Sequence, residues 1–126
     1  MEYMYDEELL YYSLQRIATA IERIINNSKF IDNSGYYLLS PAGMERLEST
    51  CMLLLAVGEG IKGIDKMTNK QLLPNYPEVD WKGAMGIRDI IAHHYFDIDE
   101  AIVFEVVKNK LPGMLKTINK MLEEIK

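Results

Sequence analysis

The stretch SPAGMERLESTCMLLLAVGEGIKGIDKM, residues 40–67, decides the fold class. Ser40 followed by Pro41 is a helix start: the serine hydroxyl can accept from an early backbone N–H, and proline fits the first turn, where its missing N–H costs nothing. Met44, Leu47, Cys51, Leu54, Leu55, Ile61 and Ile64 then recur at three-and-four spacing, which predicts a helix running to about Met67. Gly58, Gly60 and Gly63 each cost that helix up to ~1 kcal/mol relative to alanine, so they point to a bend or a close helix contact.

The same pattern extends in both directions. Upstream, Leu10, Leu14, Ile17, Ile21, Ile24 and Ile25 predict an amphipathic helix from Asp6 to about Asn26, broken by Asn26-Asn27-Ser28 and followed by a loop through Asn33-Ser34-Gly35. Downstream, Leu73-Pro74-Asn75-Tyr76-Pro77 cannot be helical throughout and reads as the longest ordered connection before a third helix starting near Asp80. Asp97-Ile98-Asp99 ends or redirects that helix, and Asp99 is placed to cap a fourth carrying Ile102, Val103, Val106 and Val107. Leu111-Pro112-Gly113 marks another boundary, and Leu115, Ile118, Met121, Leu122 and Ile125 define a last helix. With no strand-like alternation and no internal repeat, the expected fold is all-α: one domain over residues 1–126, an antiparallel bundle of about four to five helices.

Composition bounds what such a bundle does. A chain of 126 residues with 48% hydrophobic and 26% charged residues carries enough apolar content for one real core. The longest unbroken apolar run, Cys51 to Val57, is far short of the ~20 residues that span a bilayer, and the first residues lack the basic start of a signal peptide. The expectation is a cytoplasmic protein with no membrane partner. Cys51 is the only cysteine, so no intramolecular disulfide forms, and its apolar neighbours make it a small buried hydrophobe. A net charge of −5 argues against a protein that coats nucleic acid, and no DNA partner is expected. It leaves room for a local cationic site, because screening at physiological salt acts over ~8 Å. Met44, Met114 and Met121 read as core filling, whereas the aromatic-rich first helix, with Tyr3, Tyr5, Tyr11 and Tyr12, fits a dimer or partner interface as well as the bundle's own edge. Lys62 and Lys66 read as a solvated face.

The third helix holds the candidate chemistry. At about 100° per residue, Arg88 and Tyr95 fall nearly on one line and Asp89 and His93 on an adjoining one, with Ala92 between them. Ile87, Ile90, Ile91 and His94 take the opposite arc, so His93 is expected at the polar surface and His94 toward the core or its edge. Asp89 and His93 stand four apart, the spacing at which a carboxylate can hydrogen-bond an imidazole and select its tautomer.

Pro77-Glu78-Val79-Asp80-Trp81 followed by Gly86-Ile87-Arg88-Asp89-Ile90-Ile91-Ala92-His93-His94-Tyr95-Phe96 resembles the signature of HepT-type proteins in the HEPN superfamily. The family pattern is arginine, four residues, histidine, any residue, tyrosine, and Arg88, His93 and Tyr95 fill it in order. One departure is Asp89, where relatives often carry asparagine; it adds a negative charge beside the arginine. The resemblance implies a homodimeric, metal-independent endoribonuclease toxin whose two arginine–histidine motifs meet across the subunit interface. It further implies a nucleotidyltransferase antitoxin as partner, RNA as substrate and no cofactor. On that implication Arg88 stabilises the phosphodiester and His93 moves the proton. Tyr95 positions substrate and accepts AMP from the antitoxin, a modification that would place an anion in competition for Arg88. Two histidines and one cysteine give no recognisable zinc spacing. A reading from a different class stays open: a non-catalytic or nucleotide-binding subunit that docks onto a nucleotidyltransferase.

Overall fold

Where a short polar side chain precedes an apolar periodic run, it takes over unpaired N–H groups of a first helical turn. Asp6 Oδ1 accepts from Leu9 N at 3.0 Å and opens α1 (Glu7–Ser28). After a one-turn α2 (Tyr36–Leu39), Ser40 Oγ accepts from Gly43 N at 3.1 Å and opens α3 (Pro41–Met67). Asp80 Oδ1 accepts from Gly83 N at 3.0 Å to begin α4 (Trp81–His93). Asp99 Oδ1 accepts from Ala101 N and Ile102 N at 2.9 and 3.4 Å to begin α5 (Glu100–Glu105), and α6 (Leu111–Ile125) ends the described chain. The computed structural model describes residues 6–94 and 96–125; among these every regular element is helical and no strand occurs, as the periodicity predicts.

Two local expectations are corrected. The segment before Ser40 contains α2, anchored by the fully buried Tyr37 while Leu38 and Leu39 face outward. Leu111-Pro112-Gly113 is not a break either. Residues 106–110 form a widened π turn in which the Leu111 N–H reaches back five residues to the Val106 carbonyl, so α5, this turn and α6 make one continuous rod. Proline lacks the N–H for a bond four residues back, and the widened turn directly before it absorbs that loss. The rod also serves its neighbour: Lys108 Nζ donates to the Ser28 carbonyl at 2.8 Å, bringing a cation to the end of α1, whose own last turn contains none.

This contact fixes α1 and α6 as antiparallel, since Ser28 meets Lys108 at one end while Thr19 shares a groove with Asn119 and Leu122 further along. Leu10, Leu14, Ile21 and Ile24 of α1, Leu54, Ile61 and Ile64 of α3, and Ile118 and Met121 of α6 form the buried centre. Met114 joins them, but Met44 is 43% exposed, because it lies beyond the arc of α3 that the bundle covers. Tyr12 is exposed with the Arg16 guanidinium 5.8 Å from its ring, whereas Tyr3 and Tyr5 lie outside the described residues. The connection into α4 is tied down: a single tight turn at Leu73–Asn75 leads to buried Tyr76, whose carbonyl accepts from Trp81 Nε1 at 2.8 Å and whose hydroxyl donates to Glu124 at 2.7 Å. No described helix is long and apolar enough to cross a membrane.

Candidate functional site

Helix α4 is seated on α3 at Gly58. A Cβ at that position would come 3.1 Å from the Arg88 Cβ and 3.3 Å from the Ala84 carbonyl oxygen, so the missing side chain is what lets the two backbones approach. The stem of Arg88 therefore starts directly against α3. Its guanidinium is held at two points: Nε donates to Glu59 Oε1 at 2.6 Å, across to α3, and Nη1 to Asp89 Oδ1 at 3.0 Å, on its own helix. An arginine carries five N–H donors, so three remain uncommitted. The side chain is 41% exposed, enough to offer those donors to a ligand.

The expected pairing of Asp89 with His93 does not occur. Asp89 instead accepts from Arg88, whose long, permanently charged side chain reaches it and forms the stronger charge-assisted bond. His93, in the last turn of α4, is exposed and has no hydrogen-bond partner among the described residues. Ala92 beside it is exposed, leaving the space that the sequence suggests. His94 is the C-cap of α4, its N–H donating to the Ile90 carbonyl, and its side chain is exposed too. It stands at the rim of a groove of about 330 Å³ with Ile87, Ile91, Ile98 and Val103, so it occupies the edge and not the interior. Tyr95 lies outside the described residues; the helix on which it was projected with Arg88 ends at His93.

The opposite arc of α4 is covered less than its apolar content suggests. Ile91 is buried, but Ile90 is 49% exposed and Ile102 is 45% exposed, with Phe96 at 94% between them in sequence. Glu59 was invisible to sequence reasoning: it is 29 positions from Arg88, and the sole hint is that it stands between Gly58 and Gly60, in a stretch already marked for close approach. One guanidinium against two carboxylates leaves a local balance of −1 before His93 is counted. Among the described residues no three of His, Cys, Asp and Glu gather into a set that would hold a metal ion.

An arginine and a histidine five apart at the exposed end of α4, within a helical bundle, match the ribonuclease HepT-like family over residues 17–121. The chain belongs to this family. A candidate RNase of Methanocaldococcus jannaschii is 35% identical over 72 residues, 57% of this chain and 56% of the relative. A second candidate RNase of that organism is 27% identical over 112 residues, 89% of this chain and 90% of the relative. A third, from Caldanaerobacter subterraneus, is 27% identical over 70 residues, 56% of this chain and 59% of the relative. The chain thus spans little more than half of the first of these relatives. No solved structure matches it. As a HepT-like bundle, the chain presents Arg88 and His93 at an accessible end of α4, with Glu59 brought in from α3 as an unforeseen third party.

Proposed function

We propose that this HepT-like chain is a metal-independent endoribonuclease that acts as the toxin of a pair with a nucleotidyltransferase antitoxin. The observation that carries the reading is Arg88, half-exposed on α4 with three free donors, in the family's spacing with an exposed and unpartnered His93. The ribose 2′-oxygen attacks phosphorus, the bond to the 5′-oxygen breaks, and the products carry a 2′,3′-cyclic phosphate and a 5′-hydroxyl. Arg88 stabilises the charge that grows on the phosphoryl oxygens, and His93 takes the 2′ proton or gives one to the leaving oxygen.

Homodimerisation completes the site in this reading. On an ideal helix Arg88 and His93 are about 140° apart in rotation and about 7.5 Å apart along the axis, so one chain alone does not set them side by side. The exposed Ile90, Phe96 and Ile102, flanking the groove beside the motif, supply apolar surface for a second copy to cover. Tyr95 is proposed as the positioning residue and the acceptor of AMP, and the cytoplasm as the site of action.

Purified protein in excess EDTA, with intact mass recorded to find any modified Tyr95, tests the proposal. Unmodified wild type should cleave RNA to cyclic-phosphate ends, while Arg88→Ala and His93→Ala should lose about 10²-fold or more with melting temperatures nearly unchanged, since both side chains face solvent. Wild type that leaves tRNA, mRNA and ribosomal RNA intact would favour the second reading, a non-catalytic subunit docked on a nucleotidyltransferase. The observation on that side is the pair of carboxylates already bound to Arg88.

A further inference from the structure

Glu59 is drawn into the site by the fold and has no part in the mechanism above. It follows Gly58, the residue that lets α3 and α4 touch at the Arg88 stem, and its Oε1 accepts from Arg88 Nε at 2.6 Å, a short charge-assisted contact. Nε is the guanidinium nitrogen nearest the stem. A carboxylate held there by a different helix restricts rotation of the whole plane and leaves donors on both terminal nitrogens pointing away from it. Asp89, by contrast, is on the same helix as Arg88 and bonds a terminal nitrogen, Nη1, at 3.0 Å, where it stands in the way of a phosphate. The two carboxylates therefore have opposite effects: Glu59 orients the guanidinium from behind, and Asp89 occupies part of its ligand face.

The geometry points to Glu59 as a positioning residue for Arg88, acting through the oxygen that accepts from Nε and not through its charge. This rests on the reading of Arg88 as the phosphodiester-binding group. Its charge is a drawback in that role, since a second carboxylate lowers the local potential that an RNA phosphate meets. Glutamine, which keeps an acceptor oxygen at the same reach, should thus replace it, whereas alanine should not.

The test compares Glu59→Gln, Glu59→Ala and Arg88→Ala in RNA cleavage, with binding of a non-cleavable 2′-O-methyl oligonucleotide and thermal melting measured in parallel. Glu59→Ala should lower kcat by about ten- to a hundred-fold, the loss that a misplaced group of this kind produces, and Glu59→Gln should stay within about threefold of wild type. In oligonucleotide binding, Glu59→Ala should weaken affinity in the wild-type background and add nothing to Arg88→Ala, the mark of two residues acting through one another. Glu59→Ala cleaving and binding like wild type would overturn the inference, reducing the pair to a surface ion pair. Equal losses in Glu59→Ala and Glu59→Gln would overturn it as well, assigning the effect to charge or proton transfer. Should Glu59→Ala melt below the assay temperature, Glu59→Gln at wild-type kcat still supports the acceptor role, and Glu59→Gln falling tenfold while folded still refutes it. Arg88→Ala that cleaves and binds like wild type would instead remove the reading of Arg88 on which the inference stands.

Discussion

Two glycines five residues apart on α3 should respond to alanine in opposite directions, and the contrast tests how α4 is seated. In a helix interior, alanine is favoured over glycine by ~1 kcal/mol. At Gly63 a new Cβ meets nothing within 4 Å, so that gain is kept in full. At Gly58 the Cβ arrives 3.1 Å from the Arg88 Cβ and 3.3 Å from the Ala84 carbonyl oxygen; both belong to the stem or backbone of α4, which must shift as a unit. Overpacking of this kind costs about 1–3 kcal/mol, which leaves Gly58→Ala between about neutral and 2 kcal/mol destabilised. With an unfolding entropy of ~2.1 cal/mol/K per residue, 126 residues convert 1 kcal/mol into about 4 °C. Gly63→Ala should therefore melt about 4 °C above wild type, and Gly58→Ala should range from about unchanged to about 8 °C below it. Melting followed by far-UV circular dichroism reads both. If Gly58→Ala gains stability as Gly63→Ala does, α4 does not rest against α3 at Arg88, and the placement of the site on that contact fails.

Two further outcomes follow from burial and capping. The Cys51 thiol is pushed up to about 11, by burial first and then by the nearby Glu48 carboxylate, against an ordinary value of 9.0. The unfolded chain thus loses the proton first, and stability should fall as pH rises from about 9 to 11, by on the order of 2–3 kcal/mol from this group alone. Cys51→Ala should flatten that decline in urea titrations at successive pH values, and an identical decline would show that the thiol is not its source. At the start of α5, Asp99→Ala should cost about 1 kcal/mol because two N–H groups lose their acceptor, while Asp99→Asn should lose much less. A urea midpoint unchanged in Asp99→Ala would mean that this cap carries no stability.

Much of the fold was legible because its signals are local. Ser40, Asp80 and Asp99 each announced a helix start within a few residues of an apolar run, and each caps the helix it announces. What went unread depends on what packs nearby. Tyr36–Leu39 is too short to show a period, and its turn exists because Tyr37 finds a buried place beside α3. Pro112 gave a sound local reason for a boundary, yet the widened turn at 106–110 keeps the rod unbroken, and Lys108 within that turn reaches the end of α1. No periodicity argument sees a carbonyl 80 positions away that needs a cation.

The site divides in the same way, and the division says where its specificity is controlled. Arg88 and His93 are both on one helix, so their order and spacing are visible in the chain and place them at the exposed end of α4. The partner of Asp89 was misjudged because helical spacing ranks residues by position and ignores reach: the four-apart imidazole loses to an adjacent guanidinium that is longer and always charged. Glu59 could not be found from spacing at all, because the contact exists only once Gly58 has brought two helices together. The charge balance at Arg88 is thus set by one residue next to it and one a helix away. A phosphate that displaces Asp89 from Nη1 meets a guanidinium still held at Nε, and if both carboxylates let go together, it meets a flexible side chain with no fixed orientation. The first case keeps the geometry that phosphoryl chemistry needs, so the value of the α3–α4 contact lies in making the two carboxylates separable.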